Sequence, residues 1–388
     1  MRDPQDYRSA GRNDPHSPQQ MEEHPYDFVS LPERPKTWPG LTHDRYHADR
    51  LTGTVTLTYT TVSPLHIGCG VFETAADCGL QGEDLPVRGI TRSLGAPILP
   101  GSGWKGAVRS AFEAITDSRL GAAGTHAAEP EFKVPGPLKT GRGKHQVQIT
   151  DPRVRYTLQP QEIVQGPKDL QNLSPADSLF GSMGYRGRIH PGDGAITIPS
   201  APKPRSPLQV APLDSPQMHR LAKPDGIQPR GPGKLEIVQV EGRKFYYDGP
   251  LVPTRRMEFQ GRTKEVYEFL DFVPEGATIQ LEVWVHSVTE GELGALLLSA
   301  GYGDQLGSLR FGGFKSCGLG KVGLVGTELA LHHGAATRQW RRPEPEDLDM
   351  ATILKEAYLR LVNRDRLAEL REVTTMRRPD PKTGRGQQ

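Results

Sequence analysis

Lys105 and Arg109 stand one helical turn apart in "PILPGSGWKGAVRSAF" (97–112), directly after a turn built from proline, two glycines and a serine. Such a turn leaves backbone N–H groups bare, and the helix that follows brings its positive dipole end to the same place. The chemistry this suits is anion binding, with Gly101 and Ser102 offering backbone and hydroxyl donors and Lys105 and Arg109 adding charge. A second stretch, "RFGGFKSCGLGK" (310–321), repeats the arrangement with Arg310, Lys315, Ser316 and Lys321. Between the two lies "SLFGSMGYRGRI" (178–189), where Arg186 and Arg188 flank a turn. Acids gather after the first strand as well: Glu73, Asp77, Glu83 and Asp84 lie within a dozen residues, Asp84 in "EDLPVRG" (83–89). Asp84 is equally readable as a turn former or as a partner of Arg88.

The small-ligand readings of the glycine loops fail on spacing. "GCGVFE" has no third glycine where a dinucleotide fold needs one, and "GGFKSCGLGKV" lacks both the gap before Gly-Lys and the following Ser or Thr of a phosphate loop. No serine sits in a Gly-x-Ser-x-Gly elbow, and the 12 histidines are scattered. Cys69 and Cys78 lack the matched partners of a metal knuckle and read as small buried hydrophobes. Asp193 and His190 in "RIHPGDG" read as a turn. Lys plus Arg number 48 against 46 Asp plus Glu, so any basic surface must be local. Three cysteines make no disulfide framework, and neither a leader nor a long apolar run is visible, which predicts a soluble cytoplasmic protein without membrane contact.

These side chains need a scaffold. Residues 1–50 are polar and proline-rich, with an apolar island at Tyr26, Phe28, Val29 and Leu31; they predict a disordered start and then an extended strap that docks on the body. "TGTVTLTYTTVSPLHIG" (52–68) alternates Val55, Leu57 and Tyr59 with threonines, as a half-buried strand requires. A glycine-rich loop follows, then a helix over Trp104–Ile115. Ser174 is placed to cap a short helical turn, and Arg188–Ile198 reads as a strand interrupted at 191–194. "KLEIVQVEGRKFYYDG" predicts a hairpin around Glu241-Gly242. "ATIQLEVWVHSV" is the clearest strand, "GELGALLLSAGY" a compact apolar helix, and 346–371 a single amphipathic terminal helix. Proline- and glycine-rich stretches at about 121–175 and 199–262 are insertions, the first with "HQVQITD" as an edge strand. A core over 51–330 thus gives strand, helix and strand twice, before a C-terminal helix and disordered tail over 331–388. That order suits an α+β, ferredoxin-like fold: an antiparallel sheet covered on one face by two helices, the other face left for a ligand.

Taken together, "PLHIGCG", "PILPGSGWKGAVRSAFEAI", "SLFGSMGYRGRI" and "GGFKSCGLGKV", in this order and spacing, resemble the RAMP superfamily, the RNA-binding subunits of CRISPR effector complexes. The strap "YDFVSLPERP" resembles the entry segment of a subgroup associated with type III systems. The resemblance runs over roughly residues 25–330 and is absent from the insertions. It implies the RRM-like RAMP variant of the ferredoxin fold, guide RNA and target RNA as ligands, and other CRISPR effector subunits as partners in antiviral defence.

The resemblance also implies that the terminal loop lies beside the first helix on an RNA-binding surface, so that His66, Gly101, Ser102, Lys105, Arg109, Arg186, Arg310, Lys315, Ser316 and Lys321 contact ribose and phosphate without reading bases. The plainer alternative is that the glycines only let helix and sheet pack closely. In the backbone subunits of type III complexes an aspartate after the first strand cuts target RNA, and the matching position here is Asp84. As an endoribonuclease residue it would orient the attacking 2′-hydroxyl or ligate Mg²⁺, with His66 and Lys105 as electrostatic helpers. The alternative function is a non-catalytic, structural RNA-binding subunit of the same kind of ribonucleoprotein.

Overall fold

The computed structural model describes residues 25–120, 170–199, 204–213, 242–259, 262–339 and 343–377, with the backbone of short strands inside the two insertions. In chain order the core elements are β1 (Tyr26–Val29), β2 (Leu51–Thr61), β3 (Gly68–Thr74), β4 (Pro86–Ile90), β5 (Arg92–Ser93), β6 (Ala96–Leu99), α1 (Gly101–Ile115), α2 (Pro175–Phe180), β7 (Ile189–Pro191) and β8 (Gly194–Thr197). There follow β9 (Leu208–Val210), β10 (Arg243–Tyr246), β11 (Arg255–Phe259), β12 (Arg262–Val266), β13 (Glu268–Leu270), β14 (Thr278–Val288), α3 (Glu290–Ser299), β15 (Leu309–Arg310), β16 (Lys321–His333), α4 (Met350–Arg360) and α5 (Arg364–Thr375).

The main sheet runs β15-β16-β2-β14-β8-β6-β5, with β7 also paired to β14. Its centre is the ferredoxin-like order: β2 lies antiparallel between β16 and β14, and β7 and β8 pair antiparallel with β14 on the far side. The periodicity of β2 and β14 explains the layering. Val55, Leu57 and Tyr59 with Ile279, Leu281, Val283 and Val285 are buried toward the helices, while the alternate residues Thr54, Thr56, Thr58, Gln280, Glu282 and Trp284 face away. Trp104 locks α1 to this layer: its indole N–H donates to the Tyr59 hydroxyl at 3.0 Å, which donates to the Ala300 carbonyl at 3.0 Å. Ser174 begins α2 with a reciprocal capping box to Asp177, as the sequence predicts.

Three expectations are corrected. The stretch after β2 is a β3–β4 hairpin rather than a loop, joined through β4 and β13 to β9 in a second four-stranded sheet. Cys69, Gly70, Val71 and Phe72 are all exposed, so no buried face marks the strand in the sequence. The hairpin expected around Gly242 does not form. Arg243–Tyr246 pairs instead with Tyr26–Val29 of the strap, because Arg243 is drawn into the core by Glu113 and by the carbonyls of Ser118 and Arg119. Lys234–Ile237 pairs with Arg153–Tyr156, so strands of the two insertions share one sheet. Finally, the single terminal helix is two. Asn363 donates its backbone N–H to the Ile115 carbonyl at the end of α1, its side-chain Nδ2 donates to Asp117, and its side-chain Oδ1 accepts from the N–H groups of Asp365 and Arg366 to cap α5, which forces a break after α4.

Residues 1–24, most of the first insertion, parts of the second and residues 378–388, where a disordered tail is expected, lie outside the described residues. No helix among the described residues is long and apolar enough to cross a membrane.

Candidate nucleic-acid interface

The turn before α1 and the terminal glycine loop are built differently. Gly101, the first residue of α1, donates its N–H to the Asp193 carboxylate at 2.9 Å, so this helix start already holds an anion supplied by the chain itself. A Cβ on Gly101 would lie 2.5 Å from the Pro191 carbonyl, which is why a glycine is needed there. One turn further the situation reverses. Ser102, Gly103 and Gly106 are exposed, and a Cβ on Gly106 would meet nothing within 4 Å. Close packing therefore accounts for Gly101, while the surface of Ser102, Gly103 and Gly106 is open to a ligand.

The terminal loop is stapled to the segment after β2. Gly313 donates to the His66 carbonyl at 2.8 Å and Gly320 to the Pro64 carbonyl at 2.8 Å. The His66 ring is buried between the two, with Nδ1 2.9 Å from the Asp271 carbonyl and the Phe314 ring edge-on at 5.4 Å. Gly320 has φ +84°, and a Cβ there would lie 2.1 Å from the Phe311 carbonyl. Gly320→Ala is therefore expected to destabilise the protein by several kcal/mol, whereas Gly106→Ala should leave it unchanged or stabilise it by up to about 1 kcal/mol through helix propensity. Urea titration of both variants checks the contrast.

The expected juxtaposition of this loop with the helix start is not what the register gives. The loop enters β16 at Lys321, next to Val322, which faces Thr61 of β2. The helix start packs on Pro191, which faces Val283 and through it Val55. From Val55 to Thr61 is roughly 20 Å of strand. The two turns occupy separate levels of the sheet, because each is tied to its own neighbour, His66 or Asp193.

Ion pairing sorts the predicted cations into two groups. Arg310 donates to the carbonyls of Gly318 and Leu319 and to Asp248 at 2.9 Å, and Lys321 donates to the other Asp248 oxygen at 2.7 Å. Arg109 donates to Glu113 at 2.7 Å and to the Gly181 carbonyl, inside a buried chain that continues through Asp177 to Arg119 and through Glu113 to Arg243. Arg188 is fully buried against Glu292. Among the described residues no carboxylate pairs with Lys105, Lys315 or Arg186. Lys105 reaches only the Ile189 carbonyl at 3.3 Å, and burial together with Arg109 holds its pKa below the usual lysine range. Lys315 is half-buried, its pKa lowered by burial and by Arg310. Arg186 is exposed, as is Ser102, while Ser316 is half-buried beside Cys317.

Asp84 lies exposed in the connection between β3 and β4, two residues before β4 begins. The pairing with Arg88 that its sequence position invites does not occur: Arg88 is salt-bridged to Glu268 across the sheet and stacked 4.8 Å over the Phe72 ring. Of the competing acids, Asp77 accepts from Thr74 at 2.6 Å and Glu73 accepts from Cys78, whose thiol is pushed up to about 12 chiefly by burial. Among the described residues no three His, Cys, Asp or Glu side chains gather as a metal cage.

In the sequence His190 reads as part of a turn and no histidine cluster shows; in the structure His190 lies in β7. His43, His190 and His286 cluster with Tyr46, Tyr185 and Trp284, and each has its pKa lowered first by burial and then by neighbouring positive charge: Arg188 at His43, Arg186 and Lys105 at His190, and His43 and Arg188 at His286. His66 and His332 are lowered by burial as well. In the folded state these rings bind fewer protons than in the unfolded state, so their contribution to stability is complete above the ordinary value of 6.5 and is lost as pH falls below it toward the lowered folded values. The urea midpoint is therefore expected to fall between pH 7 and pH 5.5, and to fall less when His190 is replaced by Gln.

The family model described as the RAMP superfamily matches residues 58–322, about two thirds of the chain. No curated protein matches the sequence. With this match and the antiparallel α+β fold, the chain belongs to the RAMP superfamily, the RNA-binding subunits of CRISPR effector complexes.

Proposed function

We propose that the protein is a guide-RNA-binding subunit of a type III CRISPR effector and that Asp84 takes part in endonucleolytic cleavage of the paired target RNA. The observation that carries this reading is the selectivity of ion pairing: the chain neutralises Arg109, Arg310, Lys321 and Arg88 internally, while Lys105, Lys315, Arg186 and Asp84 have no ion-pair partner among the described residues. Ligand-facing roles in this reading belong to Lys105, Lys315, Arg186 and Ser102. His66, Gly101, Arg109, Arg310 and Lys321 hold the turns in shape.

A lone exposed carboxylate does not make a protein metal cage, but it suits Mg²⁺, which keeps several waters and takes one or two carboxylates together with RNA phosphate. When bound there, the ion would offset charge on the scissile phosphate. Asp84 itself would orient the neighbouring 2′-hydroxyl or accept its proton. Lys105 and Lys315, roughly 20 Å apart in level, would hold the guide backbone at two places along its run.

The binding half is tested by retention of guide RNA in the assembled complex across a salt series. Removing one cation that neutralises a phosphate of a single strand lowers the slope of log K against log salt by about 0.7, so Lys105→Ala with Lys315→Ala should lower it by about 1.4. An equal drop in slope from Arg310→Ala alone, with no effect of the lysine pair, would reverse the assignment. The structural-subunit alternative shares this binding surface and differs only at Asp84.

A further inference from the structure

The sheet face that the helices leave uncovered carries aromatic and imidazole side chains that phosphate contacts do not use. His190 of β7 stands opposite Trp284 of β14, and Trp284 stands opposite Thr54 of β2, which faces Ala330 of β16. Directly opposed residues of antiparallel strands share a face, so these four form one row across the sheet. His286, two residues along β14, is on the same face. The strap supplies the rest: the Tyr46 ring meets His286 edge-on at 5.1 Å, and His43 stacks on His286 at 6.3 Å with an interplanar angle of 21°.

Trp284 is 43% exposed and Tyr46 45%, and the neighbours of Trp284 on the β2 and β16 side are as small as threonine and alanine, so the indole is not roofed by its own row. An open indole and phenol on an otherwise polar face offer flat apolar surface on which a planar group can stack. Charge says which. Among the described strands β7 pairs with β14 alone; the start of α1 packs along its other edge, and there lie Arg186, exposed, and Lys105, whose ammonium reaches the Ile189 carbonyl. Burial first, and then Arg186, Lys105 and His43, hold the pKa of His190 below its usual value. Glu282, on the other side of Trp284 along β14, bounds the patch. Cations beside an open indole match a ligand that alternates anionic phosphate with flat bases.

We propose that Trp284, supported by His286 and Tyr46, is a stacking platform for one unpaired base of a single-stranded nucleic acid, with Lys105 and Arg186 holding the flanking phosphate. This rests on the RNA-binding reading above and adds a base-dependent contact that a backbone cradle lacks. Stacking of this kind tolerates any base, because every base has a π face.

The test compares binding of the full-length chain to a short oligoadenylate and to an abasic ribose-phosphate oligomer of equal length. The wild type should prefer the base-bearing oligomer by about tenfold. Trp284→Ala should remove that preference and leave abasic affinity unchanged, and Trp284→Phe, a gentler change, should keep most of it. The proposal is overturned if wild type and Trp284→Ala discriminate equally, or if the wild type does not discriminate while binding both. If the wild type binds neither oligomer at any salt, the RNA-binding reading itself falls and takes the platform with it.

Discussion

Asp84→Ala is expected to abolish cleavage of a matched target RNA at the position this subunit serves, by at least about 100-fold, with guide retention and target affinity within twofold of wild type. The carboxylate is exposed in the β3–β4 connection, and neither Arg88 nor a backbone cap engages it among the described residues, so its removal leaves no buried partner behind. Stability should accordingly be unchanged, which separates a lost chemical group from a lost fold. Asp84→Asn, which keeps shape and loses charge, should be as inactive as the alanine variant. Cleavage that survives both substitutions at every position assigns the chain to the non-catalytic, structural class of RNA-binding subunit. Glu73→Gln serves as the control acid, since its carboxylate is already occupied by Cys78.

Glu292→Ala should cost about 3–5 kcal/mol of stability, a large part of what a domain has to lose. Glu292 accepts from Arg188 and from the backbone N–H of Thr289, and Arg50 approaches at 3.4 Å. Arg188 is in turn held by the Ser287 carbonyl at 2.6 Å and the Ser178 hydroxyl at 3.0 Å. The mutual attraction wins over burial: the Glu292 pKa is lowered and that of Arg188 raised despite desolvation of both. Removing the acid strands a guanidinium that is almost wholly buried. The consequence reaches the candidate interface, because Arg188 immediately precedes β7, and β7 carries His190 and the Pro191 carbonyl against which the start of α1 packs. Equilibrium urea unfolding measures the loss. Replacing Arg188 and Glu292 together by Met and Leu should recover much of it.

The scaffold was legible wherever one face of an element is buried. The alternation of β2 and β14, the apolar run of α3 and the Ser174 cap each report a local rule, and each element forms where that rule puts it. What escaped was set by partners distant in sequence. Arg243–Tyr246 looks like half of a hairpin until Glu113 pulls Arg243 inward and the strap takes the strand edge. Nor does the sequence say that Asp248 neutralises Arg310 and Lys321, or that Asp193 fills the helix start. Counting every cation on a glycine turn therefore overstates the ligand-facing set. The histidines read as scattered because His43, His190 and His286 come from three separate segments and meet only once β7 pairs with β14.

The most direct measurement is a structure of the effector particle loaded with guide RNA. Guide phosphates should lie within about 4 Å of the ammonium groups of Lys105 and Lys315, at the distance of charge-assisted contacts, with the Asp84 hairpin against the guide–target duplex. A guide that runs past neither lysine, with both glycine turns packed only against protein, contradicts the role assigned to this chain.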